Sequence, residues 1–370
     1  DVVVAYLTVK AVGSAKSSST LAVTVTTLAD SEGGTIVAPA ASGIVARPGT
    51  VLDEVDPRVR HIAKWVLAVG DAVAVADVDG DGLQDLFFTY PLKDARDRAA
   101  LYRNLGNFRF ERVPLPALDR YQDARENGLP SGALFLDYDN DGDQDLLVLT
   151  GWGRPVLLRN RLVEDGRLWF EDVTHELGLD AYTISVSANA LDFDRDGRLD
   201  IVIGNAMSPQ LLAYSPPRRF NIFKLPAAEA ADDRRMFDFM HRTWHDAANG
   251  GGVMLFLQRG QRFERQDERA LGITDRRWTI AIGAGDLDAD GWPDLYLAND
   301  FGPDQLLLNR GGKGFEAIRG ALPGSMGRDV AMPASPAAPA ATVNENLLRT
   351  ARRALAVGDI RRANDFVGQE

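Results

Sequence analysis

Four nine-residue segments hold most of the chemical potential of this sequence: Asp77-Val-Asp-Gly-Asp-Gly-Leu-Gln-Asp85, Asp137-Tyr-Asp-Asn-Asp-Gly-Asp-Gln-Asp145, Asp192-Phe-Asp-Arg-Asp-Gly-Arg-Leu-Asp200 and Asp286-Leu-Asp-Ala-Asp-Gly-Trp-Pro-Asp294. All fit D-x-D-x-D-G-x-x-D without a gap. Carboxylates this close repel one another unless a cation sits among them, and a hard divalent ion with six to eight oxygen ligands fits that need. Calcium accepts such a flexible oxygen cage more readily than magnesium. The glycine at position 6 allows the sharp turn that aims the preceding side chains at one centre.

The expected side-chain ligands are Asp77, Asp79, Asp81 and Asp85 in the first loop, and Asp137, Asp139, Asp141 and Asp145 in the second. Asp192, Asp194, Asp196 and Asp200 supply the third, and Asp286, Asp288, Asp290 and Asp294 the fourth. Position 7 (Leu83, Asp143, Arg198, Trp292) is expected to offer its backbone carbonyl, which leaves its side chain free to vary. About four bound Ca²⁺ are therefore expected.

The flanks decide what carries these loops. A helix-loop-helix calcium site needs a bidentate glutamate at position 12. Here position 12 is Phe88, Val148, Ile203 or Leu297, each inside a run that reads as a strand. Asp85, Asp145, Asp200 and Asp294 instead close each loop at position 9, so that the chain passes directly into a strand.

Whole units repeat around the loops. Ala72–Ala76 and Leu86–Tyr90 flank the first, and Leu101–Val113 reads as a hairpin turning at Leu105-Gly-Asn107. The second unit has Ala133–Leu136, Leu146–Thr150, Val156–Asn160 and Leu168–Val173. The fourth has Ile280–Ala284, Leu295–Ala298, Gln305–Asn309 and Gly314–Ile318. The loops begin at 77, 137, 192 and 286, so the third unit is interrupted, at about Met207–Gly250. Met236, Met240 and Trp244 predict an amphipathic helix over Ala227–Ala248 of that insertion. Four-stranded units that cannot each bury both faces predict radial stacking: an all-β propeller with calcium-binding loops and a helical insertion in one blade.

These units resemble FG-GAP/VCBS repeats, the calcium-loop blades of the integrin alpha-subunit propeller. Leu101-Tyr-Arg-Asn-Leu-Gly-Asn-Phe108 and Ala298-Asn-Asp-Phe-Gly-Pro-Asp304 are similar to the cartilage-acidic-protein, or ASPIC-type, group. The resemblance spans about residues 60–327. It implies a propeller, often seven-bladed, on the outside of a cell or in a periplasm, active in adhesion or ligand binding. Its loop aspartates match the family's metal ligands position by position. The departure is in number, since four acidic blades are visible.

Composition agrees with a globular protein: 45% hydrophobic and 25% charged residues over 370 positions. The formal charge of −12 argues against a nucleic-acid partner, and four calcium ions would cancel about eight of those charges. No cysteine is present, so no disulfide framework exists. No run of 18 apolar residues predicts a transmembrane segment. The first residue is Asp1, which fits a signal peptide removed or one never included.

Residues 1–60 read as a β-rich segment, an extra blade or a small β module, with strands in Val2–Val12 and Leu21–Leu28, and Asp56–Trp65 as a short helix or loop. Residues 61–327 are expected to form the propeller. Residues 328–370 read as an Ala/Pro linker and a short helix at Asn344–Val357. His241 and His245 have zinc-compatible spacing, but Arg242 stands where a zincin has its glutamate. His61 and His175 are isolated, and Arg218-Arg219, Arg234-Arg235 and Arg276-Arg277 read as solvated. Asn299, Asp300 and Asp304 could serve as turn residues or as a rim-loop ligand site. Trp152, Trp169, Trp278 and Trp292 are expected in the inter-blade core.

Two functional classes follow. One is a non-catalytic calcium-stabilised propeller that binds a protein or glycan. The other is a polysaccharide lyase or hydrolase on the same scaffold, sited at the axis or beside the insertion, because fold does not fix function. A subunit role in a larger surface assembly, with the insertion and C-terminal helices as docking elements, is a third.

Overall fold

Short apolar strands separated by tight acidic loops can satisfy their backbones only by pairing with the next strand along, and the chain folds as a series of meanders. The computed structural model describes residues 5–10, 22–29, 35–36, 50–60, 63, 70–230, 232–241, 250–274, 276–300 and 302–318. Strands β1 (Ala5–Lys10), β2 (Ala22–Ala29) and β3 (Thr35–Ile36) form a small antiparallel sheet. Helix α1 (Thr50–Glu54) precedes the first blade.

Four antiparallel blades follow, each built outward in sequence order. Blade one is β4 (Ala72–Ala76), β5 (Asp85–Thr89), β6 (Ala99–Asn104) and β7 (Phe110–Val113). The short helix α2 (Ala124–Asn127) leads into blade two. That blade is β8 (Leu129–Leu136), β9 (Asp145–Gly153), β10 (Val156–Asn160) and β11 (Phe170–Asp172), with α3 (Leu162–Asp165) inside its outer hairpin. After α4 (Thr174–Leu177), blade three opens with β12 (Thr183–Leu191) and β13 (Asp200–Asn205). The insertion follows, carrying the β14 (Gln210–Leu211)–β15 (Arg218–Arg219) pair and α5 (Arg235–His241). Blade three then closes with β16 (Gly252–Arg259) and β17 (Arg262–Arg265). Blade four is β18 (Trp278–Gly285), β19 (Asp294–Asp300), β20 (Gln305–Asn309) and β21 (Phe315–Ile318).

First strands of consecutive blades pack on one another, β4 on β8, β8 on β12 and β12 on β18. This is the radial arrangement of an all-β propeller. The outer part of β9 also pairs with β12 through Thr183 and Ile184, which joins the sheets of blades two and three.

Inter-blade cores explain the sequence pattern. Phe87 and Leu101 of blade one meet Leu146, Leu158 and Phe170 of blade two. Leu147, Leu149 and Leu157 of blade two meet Ile201, Ile203 and Phe256 of blade three. Val202 and Leu255 of blade three meet Ile282, Leu295 and Leu307 of blade four. Strands covered on both faces read as unbroken apolar runs, and every residue of β9 and β13 is buried. The end blades differ. Val73, Val75 and Phe88 on blade one and Ile280 and Tyr296 on blade four are exposed, on faces with no blade against them among the described residues.

The insertion is a cap. Phe220, Ile222, Phe223, Leu225 and Met236 pack with Val51, Val55, Val59 and Ala63 over Leu129, Trp152, Ile184 and Trp278 at one end of the blades. The Asp56 amide donates to the Ile222 carbonyl at 3.0 Å, and the Arg58 guanidinium reaches the Pro226 carbonyl at 2.7 Å.

Two expectations need correction. The insertion helix begins at Arg235, not Ala227, because the Asp233 carboxylate accepts from the amides of both Glu229 and Arg235 and gathers the chain into a turn first. The rest of the expected helix, including Trp244 and His245, lies outside the described residues, as do His61, the Ala/Pro linker and the helix expected at Asn344–Val357. Trp152 and Trp278 are buried, but Trp169 and Trp292 are not inter-blade core. The Trp169 indole donates to Asp165 at the surface, and Trp292, at position 7 of its loop, lies under the Arg195 guanidinium of blade three. A position-7 side chain points away from the loop centre, so an indole there finds the neighbouring loop instead.

Candidate metal centres

The four acidic loops fold alike and each joins the first strand of a blade to its second. Position 6 is left-handed in all four, at Gly82, Gly142, Gly197 and Gly291 (φ between 86° and 99°). Position 4 is left-handed too, and only Gly80 is a glycine there; Asn140, Arg195 and Ala289 hold φ near 60°. The sequence pattern marked only the glycine at position 6.

The double reversal wraps the backbone around the first carboxylate. Asp77, Asp137, Asp192 and Asp286 each accept the amide of position 5 at 2.9–3.1 Å and that of the glycine at 2.8–3.1 Å. Position 5 then accepts the amide of position 7, as Asp81 does from Leu83 at 2.8 Å. Asp141, Asp196 and Asp290 do the same for Asp143, Arg198 and Trp292.

Position 9 is wholly buried and does structural work. Asp85, Asp145, Asp200 and Asp294 each take, on one oxygen, the amide of position 2 (Val78, Tyr138, Phe193, Leu287). The other oxygen takes an amide of the third strand, from Asn104, Asn160, Gln258 or Asn309, at 2.7–2.8 Å. One carboxylate thus binds the loop to strands two and three of its blade.

Position 3 carries a feature the motif did not reveal. Each of these aspartates is paired with an arginine of the third strand or just after it: Asp79 with Arg103 (3.3 Å), Asp139 with Arg159 (3.1 Å), Asp194 with Arg259 (2.7 Å) and Asp288 with Arg310 (3.2 Å). The guanidinium takes Oδ2. In loops two and three the other oxygens, Asp139 Oδ1 and Asp194 Oδ1, are buried without any hydrogen-bond partner. The Leu-Tyr-Arg-Asn104 and Leu-Leu-Arg-Asn160 runs contained the signal for two of these arginines, but spacing alone does not say what they face.

Oxygens of positions 1, 3 and 9 come within 4.8 Å of one another in loops one, two and three; in loop four the group is Asp286, Asp288 and Asp290. That span is about twice a calcium–oxygen bond of roughly 2.4 Å. Buried carboxylate oxygens with no donor to face are costly unless a cation satisfies them. The donor set, all oxygen and strongly anionic, fits calcium. Electrostatics report the same strain. Burial, reinforced by neighbouring carboxylates, pushes the Asp145 carboxyl up to about 8 and that of Asp200 up to about 6. Asp85, Asp139 and Asp294 move upward for the same reason.

Other candidates resolve differently. Asp304 accepts the Asn299 amide and the Tyr296 hydroxyl, and Asn299 donates to the Pro303 carbonyl, so these two organise a turn. Asp300 lines a small cavity of about 70 Å³ where the blades converge, with Trp152, Trp278 and Ser131. His175 is exposed, and Arg218 and Arg219 lie on the surface. A larger cavity, about 360 Å³, opens between blades one and two against Val113, Leu115, Val148 and Val156. Arg96, Arg98 and Arg112 also line it, and Arg98 is buried, donating to the Lys93 and Gln122 carbonyls. Sequence reading missed this site, because its residues belong to two blades and follow no local pattern.

The FG-GAP-like repeat family matches residues 77–148 and 137–203, about a third of the chain. Each match starts at the first aspartate of one loop and ends in the second strand of the next blade, so the sequence repeat is staggered against the blade. The interrupted third unit past residue 203 and the fourth lie outside the matched residues. No curated protein matches the chain. No helix among the described residues is long and apolar enough to cross a membrane.

Proposed function

We propose that this chain is a calcium-braced β-propeller acting outside the cytoplasm as a recognition module for a protein or glycan, without catalysis of its own. The observation that carries the metal half is the convergence of positions 1, 3 and 9 in three blades, with Asp139 Oδ1 and Asp194 Oδ1 buried and unpartnered. Each ion would neutralise a blade corner and hold strand one to strand two, with Asp77, Asp137, Asp192 and Asp286 as the pivotal ligands. Weak oxygen cages of this kind are useful where calcium is millimolar, which supports an extracellular or periplasmic setting.

The recognition half rests on the FG-GAP-like repeats, on the sequence resemblance of Leu101–Phe108 and Ala298–Asp304 to ASPIC-type propellers and on the cavity between blades one and two. That cavity lies within the usual size range of ligand sites and has an apolar wall; Arg112 is held there by Asp97 at 2.6 Å and Arg98 by two carbonyls, so Arg96 is the guanidinium left to meet an acidic group.

Two measurements test the two halves. Chelation is expected to lower the melting temperature by ten degrees or more, with calcium restoring it; an unchanged melting point and no calcium by elemental analysis overturn the metal half. Calcium-loaded protein is then screened on an array of acidic and neutral glycans and against polysaccharides for turnover. Saturable binding without product supports recognition. New reducing ends or unsaturated products overturn it.

A further inference from the structure

Blade two differs from the other three at its metal loop, and the difference is two acids, Asp143 and Glu164, beside the position-5 aspartate that all four loops share. Position 7 is an acid only here: Asp143, against Leu83, Arg198 and Trp292 elsewhere. Asp143 is also buried, with 5% of its surface exposed, whereas Leu83 and Trp292 are not. In the same blade the outer hairpin contains α3, which brings Glu164 to the loop. One oxygen each from Asp141, Asp143 and Glu164 lies within 4.8 Å of the other two.

The hydrogen bonds leave this group short of positive charge on its inner side. Asp143 Oδ2 accepts the Val163 amide at 3.1 Å, which fixes the carboxylate against α3. Asp143 Oδ1 is buried with no partner, and so is Asp141 Oδ2. Asp141 Oδ1 is occupied by the Asp143 amide. Glu164 Oε1 holds Arg161 at 2.8 Å. A buried carboxylate oxygen with no donor within reach, in a group of three acids, calls for a cation.

We propose that blade two binds a second divalent cation through Asp141, Asp143 and Glu164, beside the ion held by positions 1, 3 and 9 of the same loop. The ligand class is a hard, oxygen-seeking ion, calcium foremost, completed by water or by an acidic group from a partner. The inference builds on the calcium reading of the loops and adds an ion that the repeat itself does not provide, because it depends on the acid at position 7 and on α3.

The test counts ions on the full chain. Chelated protein is titrated with CaCl₂ and followed by native mass spectrometry and calorimetry. Asp143→Leu places at position 7 the residue that blade one already tolerates there, keeping the backbone carbonyl. Glu164→Gln changes a surface side chain and serves if the first variant folds poorly. Each is expected to bind one ion fewer than the parent, whereas Asp192→Asn, in a loop with no such outer group, removes an inner ion. Unchanged ion counts in Asp143→Leu and Glu164→Gln overturn the second site. An unchanged count in Asp192→Asn overturns the calcium reading of the loops separately.

Discussion

At residue scale, the loops combine two left-handed backbone positions with a carboxylate that burial makes reluctant to ionise. Ala289 occupies one of those positions with φ 63°, where a Cβ is strained, while Gly197 occupies the other with φ 87° and open space around it. Ala289→Gly is therefore expected to hold or raise stability, and Gly197→Ala to cost about 1–2 kcal/mol from backbone strain alone. Urea melts of both variants with saturating calcium check this, and a loss for Ala289→Gly matching that of Gly197→Ala refutes it. Titration gives a second prediction. With the folded Asp145 carboxyl raised to about 8 and an unfolded value near 4, this carboxyl's own contribution to the metal-free fold is fully present below the unfolded value. That contribution disappears as pH rises through about 8. Chelated protein should thus show a lower urea midpoint at pH 8 than at pH 5. Calcium should reverse the trend, because it binds the ionised form and displaces protons.

At the scale of elements, the third strand of each blade is the fastening. Its amide at Asn104, Asn160, Gln258 or Asn309 binds position 9, and its asparagine side chain can reach across to the blade before. Asn160 Nδ2 donates to the Val78 carbonyl of blade one at 2.8 Å, and Asn309 Nδ2 to the Phe193 carbonyl of blade three at 2.9 Å. Asn104 starts the series and donates to Gln84 of its own blade. Asn160→Ala should therefore cost about 1–3 kcal/mol, as expected for a buried acceptor left unpaired, and Asn104→Ala clearly less. Equal losses in denaturant melts would mean that the inter-blade bond carries nothing.

At the scale of the whole molecule, stability resides between blades. Phe87 is fully buried where blade one meets blade two, whereas Val75, on the paired strand β4 and on the opposite face, is 51% exposed. Phe87→Ala is expected to cost about 3–5 kcal/mol. Val75→Ala should stay within about 0.5 kcal/mol, as surface substitutions do. A large loss for Val75→Ala would show that another part of the chain covers that face. The cap made by Val51, Val55, Val59 and Ala63 with the insertion belongs to the same scale. It turns an interruption of the repeat into a cover over Trp152 and Trp278.

The sequence by itself determined the local physics. Spacing of Asp and Gly within nine residues sets the loop, because backbone reversal and charge repulsion act over that distance. Apolar runs such as Leu146-Leu-Val-Leu149 and Ile201-Val-Ile203 marked strands, and repetition of the unit implied radial stacking. What only the tertiary structure decided involves partners distant in the chain. Pairing of each position-3 aspartate with a third-strand arginine depends on strand register, and the Asn160–Val78 bond spans 82 residues. Burial of the insertion against α1, and the approach of Glu164 to Asp143, likewise depend on how separate elements pack. A local motif fixes which atoms are available. Only packing fixes which of them are left, buried and unpaired, for a cation to satisfy.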